Sequence, residues 1–121
     1  MVGAFPDTGA PFMAHDEGLA ETLRSDLAAV PELREIAMFG GLCFTSRGNM
    51  VCGTFRDQGL YRVGKAQVPR ALSLPHTGPM TMGERTMGGF VTLDPDGFAD
   101  DTLREHLTRL ALAFVATLDP K

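Results

Sequence analysis

Two cysteines, Cys43 and Cys52, stand at equal distances on either side of an Arg47-Gly48 dipeptide. Arg-Gly between two runs of β-formers suits a two-residue hairpin turn. In that register Ser46 faces Asn49, Phe44 faces Val51, Leu42 faces Gly53, and the two cysteines face each other directly. Counting outward from the turn, the cysteine pair falls at a non-hydrogen-bonded site, where Cα atoms lie about 4.5 Å apart. Such a separation is near the short limit for a disulfide and implies a strained, easily reduced bond. The chemistry on offer is a redox-sensitive dithiol, Cys43 with Cys52, on the less apolar face of a sheet. The alternative is a pair of small apolar fillers under a partner or dimer surface.

The remaining reactive residue types make no recognisable constellation. His15, His76 and His106 fall in a terminus, a loop and a helix, with no Cys-x-x-Cys or His-x-x-x-His spacing, so no metal is expected. Asp94, Asp96 and Glu105 match three ligand positions of an EF-hand loop. Pro95, Phe98 and Ala99 break that pattern, Ala99 where glycine is needed, and calcium is rejected. Gly40-Gly41 and Gly88-Gly89 lack the spacing of a nucleotide loop and read as bulges or close backbone contacts. Ser25, Ser46 and Ser73 have no Gly-x-Ser-x-Gly context. The sequence therefore yields no catalytic residue and no cofactor, and an enzyme is not expected. Met50, Met80, Met82 and Met87, with Thr45 and Thr54, form either an adaptable contact surface or part of a Met-rich core. Arg47, Arg56, Arg62 and Arg85 sit at turns and strand ends, either as a basic rim for nucleic acid or as solvated turn residues.

The elements that must hold these residues follow from periodicity. Leu19, Leu23 and Leu27 recur at helical spacing between Asp16 and Val30, with Asp16 as N-cap and Pro31 as the stop. Residues 34–63 are short β-forming runs broken by Gly40-Gly41, Arg47-Gly48 and Gln58-Gly59, which predicts an antiparallel meander of three or four strands. Leu42, Phe44, Val51 and Phe55 mark its core face, and Cys43, Thr45, Met50, Cys52 and Thr54 the other. The turn near Gly59 leaves open which of Leu60 and Tyr61 points inward.

Lys65 to Ser73 reads as a short helix with Pro69 in its first turn, and 74–79 as a loop. One or two strands are expected over Met80–Leu93, with Gly88-Gly89 as a break and Phe90–Leu93 the surer strand. Asp94-Pro95-Asp96-Gly97 is a turn. The last helix runs from Asp101 or Thr102 to Leu118, with Leu103, Leu107, Leu110, Phe114 and Leu118 as its stripe and Thr102/Glu105 as a capping box. The predicted class is α+β: a two-layer sandwich, α-β(3-4)-α-β(1-2)-α, with an antiparallel sheet and helices on one face.

Bulk properties agree with one domain. A chain of 121 residues has room for a single core, and 44% apolar with 21% charged residues is ordinary for a globular protein. Residues 1–12, rich in Gly and Pro, read as a flexible leader, with Met13 an alternative start and 13–121 the domain. The leader lacks the pattern of a signal peptide, and two cysteines without an export signal imply a reducing cytoplasm. A net charge of −4 opposes non-specific binding to a phosphate backbone.

Several stretches carry a family resemblance: Met13-Ala-His-Asp-Glu-Gly-Leu-Ala, Met38-Phe-Gly-Gly-Leu-Cys-Phe, Gly48-Asn-Met-Val-Cys-Gly, Tyr61-Arg-Val-Gly, and Met87-Gly-Gly-Phe-Val through Asp94-Pro-Asp-Gly. Together they resemble the TfoX N-terminal domain family from about Met13 to Lys121. The resemblance implies a two-layer α-β(3)-α-β(2)-α fold and supplies no catalytic residues. The family's name-giving member regulates bacterial competence genes alongside the cyclic-AMP receptor protein, and carries a C-terminal domain that this sequence lacks. The expectation is a non-enzymatic protein-interaction module, accessory to transcription regulation, acting through a protein partner or a homodimer. A direct nucleic-acid binder and a thiol switch on Cys43/Cys52 are the alternatives.

Overall fold

A computed structural model describes residues 17–38, 41–82 and 84–120. The expected leader, the alternative start at Met13, His15 and the Asp16 cap lie outside the described residues. The chain runs α1 (Glu17–Asp26), β1 (Leu33–Met38), β2 (Gly41–Ser46), β3 (Asn49–Phe55), β4 (Gln58–Arg62), a 3-10 turn (Lys65–Gln67) and α2 (Val68–Leu72). It continues through β5 (Thr77–Met82), β6 (Arg85–Leu93), α3 (Pro95–Phe98) and α4 (Asp101–Val115). The strands form one six-stranded antiparallel sheet in the order β1-β2-β3-β4-β6-β5. The α+β class and the two-layer plan are as expected. α1 with the turn after it, α3 and α4 contribute Leu23, Leu27, Phe98, Leu107 and Ala111 to a single core with Phe44, Tyr61, Val91 and Leu93 of the sheet.

The β2–β3 hairpin closes on Arg47 (φ 54°) and Gly48 (φ 85°). Both central residues are left-handed, as in the turn whose twist matches that of a hairpin. Ser46 faces Asn49 and Thr45 faces Met50, as expected, but the register then shifts between Phe44 and Thr45. Phe44 faces Cys52 and Cys43 faces Gly53. Val51 is the extra residue of a β-bulge, and everything in β3 beyond it changes face. The expected facing of Phe44 with Val51 and of Cys43 with Cys52 is therefore incorrect. Phe55, read as core, leaves the core and becomes half-buried with Arg56 5.1 Å over its ring. Gly53 lies so near β2 that a Cβ there would clash with the Leu42 carbonyl.

The chain departs from expectation at four further places. β5 begins at Thr77, inside the stretch read as loop, and β6 runs unbroken through Gly88-Gly89. Gly89 (φ 88°) accommodates the site where its carbonyl accepts from both Val63 and Gly64 N–H groups, so the glycine pair turns the strand without ending it. Asp94-Pro95-Asp96-Gly97 is the start of a helical turn, α3, whose Gly97 N–H is capped by the Asp94 carboxylate at 2.8 Å. α4 is capped by Asp100, which accepts from Thr102 and Leu103 N–H groups, and not by Thr102. Its buried apolar residues fall at i+4 spacing, Leu103, Leu107, Ala111 and Val115, with Thr108 buried beside them, while Leu110 and Phe114 are half-buried. Pro69 falls in the first turn of α2, as read. Tyr61 faces the helices with Cys52 and Val91, and Leu60 faces the other way.

Gly53→Ala is expected to lower the unfolding free energy by about 2 kcal/mol, because the added methyl meets backbone that cannot yield. Gly78→Ala is the control: its Cβ would meet only the Thr92 Oγ1, at 3.3 Å, and the change should stay within about 0.5 kcal/mol. Urea melts of both variants check this, and equal losses would contradict the close β2–β3 approach.

Candidate interaction surface

Alternation along the strands sorts the sheet into two faces. Glu35, opposite Phe44, is on the helix side, where Arg24 of α1 donates to its carboxylate from Nε at 2.6 Å and Nη2 at 2.8 Å. Ile36, opposite Cys43, is on the other face, as are Arg34 and Met50, both opposite Thr45. Leu60 and Thr92 extend that face across β4 and β6. Its centre is well covered: Cys43 is 3% and Thr45 5% exposed, and Cys43 Sγ lies 3.8 Å from Met50 Sδ. Its β1 end is open. Ile36 is 45% exposed, in the middle of the strand that ends the sheet.

The bulge separates the two cysteines. Cys43 stays on the outer face, whereas Cys52 shares the helix side with Phe44 and Tyr61 and has no exposed surface. Both are present as thiols. A dithiol needs its Cβ atoms to converge, and these point to opposite sides of one sheet. The redox pair read from the sequence is therefore not formed. Burial pushes both thiols up, and for Cys52 the charges of Asp26 and Cys43 add to the shift. A thiol held protonated is a poor nucleophile and a poor metal ligand.

The methionine and threonine group does not make one surface. Met80 is fully buried, Thr45 and Thr54 nearly so, and Met50 and Met87 are half-buried. Thr54 belongs to the helix side, where its hydroxyl accepts from the Leu42 N–H at 3.1 Å. The side chain of Met82 lies outside the described residues. Of the arginines, Arg47, Arg62 and Arg85 come to one end of the sheet, because antiparallel pairing brings those turns and strand ends together, while Arg56 is at the opposite end of β3. Arg62 is folded in, 5.2 Å over the Phe114 ring and 3.5 Å from the Met50 carbonyl. The four-arginine rim is thus reduced to two outward cations, Arg47 and Arg85, with Glu32 3.7 Å from the first.

Sequence reading missed three features. Ile36 gave no signal, because nothing local distinguishes an outermost strand from an inner one. Arg104 was not singled out, yet it ties three helices: Nε donates to Asp26 at 2.9 Å, Nη1 to the Phe98 carbonyl at 2.7 Å and Nη2 to Asp101 at 2.7 Å. The third is a polar pair under α4. The buried hydroxyls of Tyr61 and Thr108 lie near each other without a bond of good geometry. Burial, with the nearby Cys52 and Asp26 charges, pushes the Tyr61 phenol far up. It is a neutral hydroxyl across the physiological range.

At pH 8, Cys52 is expected to react with an aromatic disulfide reagent at least tenfold more slowly than Cys43, and only as fast as the native state opens. Diamide should produce no intramolecular bridge, read as unchanged non-reducing mobility and two titratable thiols after unfolding. Rapid loss of both thiols together would restore the dithiol.

Among the described residues no cluster of three or more His, Cys, Asp or Glu side chains could hold a metal, and no helix is long and apolar enough to cross a membrane. No curated protein and no solved structure matches the chain. The family model described as the TfoX N-terminal domain matches residues 25–115, which includes every strand, all of α4 and the last two residues of α1. The chain belongs to the TfoX N-terminal domain family.

Proposed function

We propose that this chain is a non-enzymatic protein-interaction module, accessory to transcription regulation, that engages its partner through the β1 edge of the sheet. The observation that carries the reading is Ile36, 45% exposed at the middle of a six-residue strand with a neighbouring strand on one side only among those described. An edge of this kind accepts a further strand through main-chain hydrogen bonds, and an exposed apolar side chain supplies contact area at the same place. Arg34 lies two residues before Ile36 on the same face, so an incoming strand with an acidic side chain there is favoured over indiscriminate pairing. Family membership supports a regulatory setting, since the name-giving member acts on transcription together with another protein.

A second reading, direct binding of nucleic acid, is favoured by the arrival of Arg47, Arg62 and Arg85 at one end of the sheet. The net charge of −4 and the engagement of Arg62 by Phe114 weigh against it.

The test is affinity purification of the tagged chain from its own cells, with and without nuclease, beside Ile36→Lys. A charge at the centre of an edge strand blocks strand addition while leaving the core untouched. The expected result is a transcription-machinery protein recovered with or without nuclease and reduced at least tenfold by Ile36→Lys, with the thermal melt unchanged. Recovery that disappears on nuclease treatment, together with a shift of DNA or RNA at low salt, would move the function to the arginine end. Equal recovery with Ile36→Lys would overturn the edge-strand reading.

A further inference from the structure

At the end of the sandwich where α1 and α4 run out, the β2–β3 turn curls beneath them and leaves a cavity of about 410 Å³. One wall is Val30 and Pro31, in the connection from α1 to β1. The facing wall is Leu112, Val115 and Leu118, from α4 and the turn that follows it. Ser46 and Asn49 form the polar floor, and Arg47 stands at the mouth. A volume of this size is at the small end for ligand pockets and suits a molecule of roughly a dozen heavy atoms.

The polar groups around it differ in what they have left to give. Asp26 also lines the cavity, but its carboxylate is held by Arg104 at 2.9 Å. The Ser46 hydroxyl donates to the Pro31 carbonyl at 2.8 Å. The carbonyls at the end of α4 are satisfied by its own turn: Leu112 by Ala116 N–H, Phe114 by Thr117 N–H and Val115 by Leu118 N–H. Asn49 is 2% exposed and uses one amide N–H, to the Asp119 carbonyl at 2.8 Å. Its other N–H and its Oδ1 are uncommitted. Arg47 has one acidic neighbour, Glu32, at 3.7 Å, beyond hydrogen-bond distance, and its side chain is 54% exposed. The acidic group of the cavity is held in a short, half-buried ion pair, the basic one has only a long, solvent-exposed pairing with Glu32, and the walls are aliphatic.

We propose that this cavity binds a small monocarboxylate with an apolar body. The carboxylate meets the Arg47 guanidinium, with the Asn49 amide within the same polar end, and the body lies between Val30 and the α4 leucines. The guanidinium fork matches a carboxylate in two bonds, which a neutral head group cannot reproduce. This site is separate from the β1 edge and stands or falls independently of it.

The test is titration of the ¹⁵N-labelled full chain with decanoate and with 2-naphthoate, followed by amide shifts, beside decanol as the uncharged control. Saturable shifts confined to Val30, the Asn49 side-chain amide and Leu118 are expected. Arg47→Asn, chosen because asparagine tolerates the left-handed φ of 54° at that position, should weaken the carboxylates about tenfold and leave decanol unchanged. Ala116→Trp places an indole over the mouth from the exposed C-cap of α4 and should abolish binding of all three. Saturation by decanoate alone identifies a straight-chain acid, and by naphthoate alone an aromatic one; either supports the site. The proposal is overturned by absence of saturable shifts at millimolar ligand, by shifts centred elsewhere, or by equal carboxylate affinity in Arg47→Asn. That last comparison decides the matter even if Ala116→Trp fails to fold.

Discussion

One inserted residue in β3 sets the arrangement of everything around it. Val51 adds a position between Met50 and Cys52 that β2 does not match, so the hairpin keeps its turn register near Arg47-Gly48 and loses it beyond Thr45. Both Val51 and Cys52 then enter the helix-side core, and Gly53 is pressed against the backbone of Leu42. A side chain at position 53 would force the strands apart, which makes glycine there a condition of the bulge. The same insertion turns Phe55 away from the helices and divides the two cysteines between opposite faces. A change in local backbone geometry thus decides a chemical question, because thiols on opposite sides of a sheet cannot share a bond.

The helix layer is fixed to this sheet by packing and registered by charge. Arg24 joins α1 to Glu35 of β1 through two short bonds, and Arg104 joins α4 to α1 and α3. The Arg104 side chain is 11% exposed, so leaving water is costly, and three acceptors plus the Phe98 face, 5.6 Å away, offset that cost. Asp26 and Asp101, with desolvation opposing them, hold its guanidinium charged. Arg104 ties the end of α1, at Asp26, to the first turn of α4, whose own end is at Val115. The cavity beyond Asp26 and Val115 is the space those two ends leave above the β2–β3 turn.

Much of this was legible in the sequence. Period-four leucines identified α1, the close-set glycine breaks identified the β1–β4 meander, and Pro69 marked the first turn of α2. What failed did so for physical reasons. Equal spacing about Arg47-Gly48 specifies register only while the ladder is regular, and Val51 carries no mark of a bulge in its own side chain. Gly88-Gly89 looked like a break, but inside a sheet a glycine pair also serves where two strands diverge, as Gly89 does beside Val63 and Gly64. Thr102 with Glu105 satisfied the pattern of a capping box, yet Asp100, two residues earlier, took the free N–H groups. Long-range facts were out of reach altogether: the outermost position of β1, the burial of Met80 and the stacking of Arg62 on Phe114 depend on strand order and helix placement.

The most direct measurement of the central claim is hydrogen exchange across the chain, free and in complex with its purified partner. If β1 is where a partner adds, amides within Leu33–Met38 gain protection on binding while those of the interior strands β3 and β4 are unchanged. The contradicting result is an unchanged β1 with new protection confined to the turns that carry Arg47 and Arg85.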